Sequence, residues 1–156
     1  MKVYLASRYS DRLTMIAWRE TLRRLGAEVT SRWINGGHEI ERDAQGDEDR
    51  RRFAEEDMED VRAADVVIVH SPREFFRTGR GGRHVEFGYA LALGKRIILV
   101  GERENVFHWR VGVEVVPDFT AMLDALFGVA PRKRAIGGTS SVQREMLREL
   151  HPGSDW

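Results

Sequence analysis

Three short segments, 2–6, 65–70 and 96–100, are apolar at consecutive positions instead of alternate ones, and Asp65-Val-Val-Ile-Val-His70 is the clearest of them. A strand that is apolar on both faces must be covered on both sides, a condition met in parallel sheets flanked by helices. The intervening sequence supplies those helices. Ser10 or Asp11 can cap a helix that runs to Leu25 and stops at Gly26, with Leu13, Ile16, Ala17, Leu22 and Leu25 as its apolar line. Segment 27–33 reads as a second strand, 34–46 with Gly36-Gly37 as a loop, and 47–64 as a second helix. Beyond the strand at 65–70, segment 71–82 is a loop rich in arginine and glycine, and 83–93 is a helix ended by Gly94. A fifth strand at 113–116 and a last helix at 118–127 complete the pattern.

This alternation predicts an α/β fold: one doubly wound domain, flavodoxin- or Rossmann-like, with a five-stranded parallel sheet and helices on both faces. Such sheets bind ligands beyond the carboxyl ends of their strands. Segments 7–10, 34–46, 71–82 and 101–109 are therefore the candidate walls of a site. The domain is expected to span 1–128. Segment 129–156, with Pro131-Arg-Lys-Arg134 and Gly137-Gly-Thr-Ser-Ser141, reads as a tail with a short helix over 141–150, either mobile or docked on a neighbouring subunit.

Composition removes several classes. With no cysteine, a disulfide framework, a thiolate metal site and a cysteine nucleophile are excluded. Twenty-five basic and twenty-five acidic residues cancel, so no global field draws the chain to nucleic acid or to a membrane. Neither a signal peptide's apolar core nor a membrane span is found, and a soluble cytoplasmic protein is expected. His38, His84 and His108 are not at metal-ligand spacing, and there is no Walker sequence or Gly-x-Ser-x-Gly elbow. No metal and no cofactor is expected.

Two carboxylates stand out. Glu86 falls in the first turn of a helix that follows the glycine-rich loop, where backbone N–H groups and the helix dipole favour its ionised form. An ionised carboxylate held near a sugar carbon suits nucleophilic displacement, although acids are also enriched there for helix stability alone. Asp57 shares a helical arc with Phe53, Val61 and Ala64, the face that packs on the sheet. Burial raises a carboxyl pKa toward a general acid's range, and the alternative is a marginal aspartate bonded to backbone. Tyr4, near the end of the first strand, reads as core packing with a satisfied hydroxyl. Arg73, Arg77, Arg80 and Arg83 in or beside the loop can clamp a phosphate, form a solvated face, or contact RNA.

Together these features resemble the nucleoside 2-deoxyribosyltransferase family, whose relatives include 2′-deoxynucleoside 5′-phosphate N-hydrolases. The resemblance rests on Lys2-Val-Tyr-Leu-Ala-Ser7, on Glu56-Asp57 leading to Ala63-Ala64-Asp65-Val-Val-Ile-Val, and on Gly82-x-x-x-Glu86-Phe-Gly-Tyr-Ala90 with Gly94-Lys95 following. It implies that Glu86 is the nucleophile forming a deoxyribosyl-enzyme intermediate, that Asp57 is the carboxylate near the leaving base, and that Tyr4 helps hold the nucleophile. It further implies that Asn105 reaches a neighbouring subunit's site in a homo-oligomer, at least a dimer. Ser7, Arg8 and Gly82 are candidate substrate contacts in the walls. The chain departs from the pattern at Arg80, six residues before the glutamate, and at His108, where relatives carry other side chains. Arg80 and His108 together are a candidate phosphate clamp.

The expected function is cleavage of the N-glycosidic bond of a 2′-deoxynucleoside or its 5′-monophosphate, with the sugar passed to another base or to water. The partner is thus a small molecule, with no nucleic acid and no membrane. The alternative is a catalytically inactive nucleotide-binding module of the same fold. A third class, an RNA-binding protein, lacks interleaved aromatics and a basic surface.

Overall fold

A computed structural model describes residues 1–39, 42–43, 46–72 and 81–128. Arg73, Arg77, Arg80 and the tail at 129–156 lie outside the described residues. Five parallel strands form one sheet: β1 (Lys2–Ala6), β2 (Glu28–Val29), β3 (Val66–Ser71), β4 (Arg96–Gly101) and β5 (Val113–Val116), in the order β2-β1-β3-β4-β5. The helices are α1 (Arg12–Arg24), α2 (Asp47–Ala63), α3 (Gly82–Ala92) and α4 (Phe119–Phe127). The doubly wound α/β architecture and its five parallel strands match the sequence reading.

The register places each strand's side chains. Tyr4 pairs with Val67 and Ala6 with Val69, so these residues share one face of the sheet with Ser71, Ile97 and Leu99. That face packs against α2 and α3. Val3, Leu5, Ile68 and His70 point to the other face, where Trp18 of α1 stacks on Phe119 of α4 at 4.7 Å. The core strands are closed to solvent: Tyr4, Leu5, Val67, Val69, Ile98 and Leu99 are all at 0% exposure. The sheet's start is pinned by Asp65, whose carboxylate accepts from the Lys2 N–H at 2.7 Å while its own N–H donates to the Lys2 carbonyl at 2.8 Å.

Two details correct the sequence reading. The second strand pairs only over Glu28–Val29, because side chains take over the contact with β1. The Ser31 hydroxyl accepts from the Leu5 N–H at 2.6 Å, and the Trp33 indole donates to the Leu5 carbonyl at 2.8 Å. The chain then turns through a 3-10 segment at Arg32–Asn35. On α1 the buried face is Met15, Trp18 and Leu22, while Leu13 is 77% exposed and Leu25 is 45% exposed. The spacing of three and four residues from Met15 lets the largest side chain, Trp18, fill the space between α1 and α4, which turns Leu13 outward.

At the carboxyl edge β3 and β4 pass unusually close. Gly101 has φ +111, and a Cβ there would sit 2.0 Å from the Ser71 carbonyl oxygen. Backbone cannot yield to such a contact, and the positive φ strains any L side chain. Gly101→Ala should therefore cost about 3 kcal/mol or more of folding stability. A shift in the urea midpoint equivalent to less than about 1 kcal/mol would contradict this packing.

Candidate active site

The order β2-β1-β3 places a topological switch between β1 and β3, where the loops leaving the two strands diverge and a crevice opens. Three of the predicted residues converge beside it, on the α2/α3 face of the sheet. Tyr4 comes from β1, Asp57 from the third turn of α2 and Glu86 from α3. Their electrostatic coupling shows the convergence: Glu86 and Asp57 both push up the Tyr4 pKa, and Asp57 pushes up that of Glu86.

Each of these groups keeps one buried atom without a well-formed hydrogen bond. Tyr4 Oη, Asp57 Oδ1 and Glu86 Oε2 are buried with no hydrogen-bond partner among the described residues. Buried polar atoms are rarely left so, because each forfeits its hydration. Burial raises the Asp57 carboxyl to about 6; His38 opposes that rise, and Asp60 and Glu56 add to it. For Glu86, burial is again the main cause, followed by Asp57, and together they raise it to about 8. Tyr4 and Arg83 pull it down only in part. Tyr4 does so through hydrogen bonding of its phenol toward the Glu86 carboxylate, a contact looser than a well-formed hydrogen bond.

This differs from the expectation of a glutamate kept ionised by a helix terminus. The helix starts at Gly82, so Glu86 is its fifth residue and has passed the first turn, where the dipole acts. Desolvation then outweighs the dipole. Gly81, at φ +82, provides the left-handed turn into α3, and Gly82 opens that helix with no described residue within 4 Å of where a Cβ would sit.

The walls hold the remaining candidates. Ser7 Oγ lies 3.1 Å from His70 Nδ1 and donates to Asp11 Oδ2 at 3.4 Å, which ties the loop after β1 to the end of β3. Arg8 has two buried guanidinium nitrogens, Nε and Nη1, without hydrogen-bond partners among the described residues. Asn105 caps the 3-10 turn Val106–Trp109 by accepting from the Phe107 N–H at 3.0 Å, and its amide nitrogen is 3.2 Å from His84 Nδ1. His108 is wholly buried against Phe87, and its Nδ1 accepts from the Glu104 N–H at 3.2 Å. That contact places the proton on Nε2, so the 3.2 Å approach of Asn105 Nδ2 to Nε2 is not a second hydrogen bond. Burial also lowers the His108 pKa, so the ring is neutral near pH 7 and supports its loop.

Several residues of the site carried no sequence signal. His38 stacks on Phe53 with 4.6 Å between centroids and stands beside Asp57. Asp60, at 6% exposure, accepts from the Arg32 backbone N–H at 2.7 Å and from its guanidinium at 2.8 Å. Glu104 binds both Arg83 and Ser71. Burial would raise the Glu104 carboxyl, but Ser71 and Arg83 outweigh it and hold its pKa below the usual value. These partners are distant in sequence, and no local pattern announces them.

Among the described residues, no group of three or more histidine or acidic side chains is arranged to hold a metal ion. No helix there is long and apolar enough to cross a membrane. A cavity of about 460 Å³ opens on the opposite face between Trp18, His70 and Phe119, and neither Asp57 nor Glu86 lines it.

Comparison with known proteins bears on this geometry. The family model for nucleoside 2-deoxyribosyltransferase matches residues 3–133. Among solved structures, the 2-deoxyribosyltransferase of Bacillus psychrosaccharolyticus is similar at 26% identity and a TM-score of 0.61, over 78% of this chain and 90% of that one. The CMP N-glycosidase of Clostridium botulinum shares the fold at 18% identity and a TM-score of 0.53, over 81% of this chain and 98% of that one. No curated protein matches by sequence. With its sheet order and more than half its length covered by the family model, the chain belongs to the nucleoside 2-deoxyribosyltransferase family.

Proposed function

We propose that the protein cleaves the N-glycosidic bond of a 2′-deoxynucleoside or its 5′-monophosphate, with residues 1–128 as the catalytic domain. The observation that carries this reading is the half-buried carboxyl pair, Asp57 and Glu86, each with one oxygen shut off from solvent and both raised in pKa beside the Tyr4 phenol. Family membership and the similar transferase of Bacillus psychrosaccharolyticus support the reaction class.

In the proposed reaction a Glu86 carboxylate oxygen attacks the anomeric carbon. The carbon–nitrogen bond breaks, and its electron pair leaves on the base nitrogen, which takes the Asp57 proton. The Tyr4 hydroxyl, facing both carboxyls, fixes Glu86 in line. Water or a second base then attacks the same carbon, gives its proton to Asp57 and frees the Glu86 carboxylate. The acceptor decides between hydrolase and transferase, and the first half-reaction is common to both.

The loop after β4 supports a shared site. Val106, Phe107, Trp109 and Val111 follow Asn105 and are 74%, 67%, 70% and 98% exposed, an apolar cluster that a monomer would leave in water. A second copy seated there brings Asn105 toward its neighbour's crevice.

Three outcomes check this reading. Incubation with a panel of deoxynucleosides and their monophosphates should release free base, with or without an acceptor base, and Glu86→Ala should lower the rate by at least about a thousandfold. Folded protein that binds nucleotides and turns over none of them would point instead to the inactive binding module. The pH profile of kcat/KM should be bell-shaped. Activity rises as the pair loses its first proton near 6 and falls as it loses the second near 8. A profile that stays flat well below the first value and well above the second would remove the carboxyl pair from the mechanism. Light scattering should show an oligomer that Trp109→Glu dissociates, and a monomeric wild type would rule out the shared site.

A further inference from the structure

We propose that the open face of α4 is the docking site of this chain's own segment 141–150, which packs there as an amphipathic helix. α4 is apolar beyond what one sheet face can cover, since of its nine residues only Thr120 and Asp124 are polar. At about 100° per residue its apolar positions span roughly two-thirds of the circumference, and a helix lying on a sheet needs a stripe about half as wide. Only Met122 is buried, while Leu123, Leu126 and Phe127 keep part of their surface in water. Phe119, the first residue of the helix, also lines the cavity beside Trp18, so this uncovered apolar surface runs on toward α1.

The segment carries the matching pattern. On a helical wheel Val142, Met146, Leu147 and Leu150 fall on one side, and Arg144, Glu145, Arg148 and Glu149 on the other. Ser140 and Gln143 have capping-box spacing at its start, and Pro152-Gly153 stops it. A helix of about ten residues is marginal by itself in water, so this one needs an apolar partner to form. α4 has apolar surface to spare.

Connectivity selects the chain's own segment over one from another molecule. α4 ends at Phe127, and Gly128 turns the chain there with φ +64. The twelve residues 129–140, with Pro131, Gly137 and Gly138 among them, link α4 to the segment. Flexible chain of that length spans about 19 Å on average, and packed helices lie about 8–10 Å apart, so the link reaches without tension. Tethering this short sets an effective concentration in the millimolar range, to the advantage of the attached segment. No basic residue stands in the last turn of α4, and Arg132, Lys133 and Arg134 follow closely enough to bring positive charge to its carbonyl end. Because α4 shares the Trp18 face of the sheet, opposite Asp57 and Glu86, the docked segment is no lid on the site.

The test is a cysteine scan of the full chain, which has no thiol of its own to interfere. Single cysteines are placed along the segment, and their alkylation by iodoacetamide is timed. Val142→Cys, Met146→Cys and Leu150→Cys should react at least about tenfold more slowly than Arg144→Cys and Arg148→Cys, the periodicity of a helix packed on one side. Adding Leu123→Glu on α4 should make the slow positions fast; Phe127→Ala replaces it if circular dichroism shows that variant unfolded. The slow positions should stay slow in Trp109→Glu, at a dilution where light scattering shows a monomer. Equal rates at all positions overturn the docking. Slow positions unmoved by the α4 substitution overturn it too, because they put the helix on another surface. Slow positions that turn fast in the monomer overturn it by assigning the helix to a neighbouring subunit.

Discussion

β1 is held between β2 and β3 in a sheet whose faces are both covered, and the chemistry of this molecule follows from that enclosure. Tyr4 sits on β1 at 0% exposure, and the face it shares with Val67 and Val69 is roofed by α2 and α3. Any polar group that α2 or α3 turns toward this strand is stripped of water before it meets a ligand. Asp57 and Glu86 are both so placed, and desolvation is the largest cause of both pKa shifts. The same strand, where it ends, separates the loop bearing Ser7 and Arg8 from the walls that follow β3. Enclosure thus sets the acidity of the site, and strand order sets its opening.

The arrangement opposes stability. A carboxyl whose folded pKa is about 8, against 4.5 for a free glutamate, leaves the folded chain holding a proton that the unfolded chain has already released at pH 7. The stability contributed by that proton is complete below the unfolded value and is lost as pH climbs through about 8. The surrounding structure offsets this with fully matched polar groups nearby. Asp60 is clamped by Arg32, Ser31 and Trp33 are bonded to Leu5, and Glu104 is held by Arg83 and Ser71. Among the described residues, unmatched atoms gather instead on Tyr4, Arg8, Asp57, Arg83 and Glu86. This division between satisfied scaffold and unsatisfied site is expected where a fold gives up stability for function.

The fold was readable because its strongest signals are local. Continuous apolar runs mark β1, β3 and β4, and Gly26 and Gly94 mark the ends of α1 and α3. What escaped is long-range. The second strand is short because side chains 26 and 28 residues away from Leu5 replace its ladder, and strand propensity holds no record of that substitution. The face of α1 is decided by how Trp18 meets Phe119, a partner about a hundred residues on. In the site, Asp57 and Glu86 announced themselves by position on their helices, whereas His38 and Glu104 arrive through loops and Asp60, on α2, takes its meaning from Arg32, 28 residues away. The sense of the Glu86 shift was also beyond sequence. The helix begins only one residue earlier than the sequence suggests, and burial under the sheet, which depends on long-range packing, sets the direction.

The order of the two pKa values constrains the mechanism further. Asp57, raised to about 6, ionises before Glu86, raised to about 8, so at neutral pH the pair holds its proton on Glu86, the nucleophile of the proposed reaction, and its charge on Asp57, which that reaction sets beside the base. Attack on the anomeric carbon needs the reverse. The pair titrates as a unit, one proton shared over two carboxyls, so the reversal requires the proton to change sides and not to be gained or lost. A bound base supplies the bias, because its departing nitrogen is an acceptor that rewards a proton on Asp57. A sugar carbon gathering positive charge beside Glu86 rewards the carboxylate there. Both effects grow as the bond stretches, so the enclosed pair is better matched to the transition state than to the resting site.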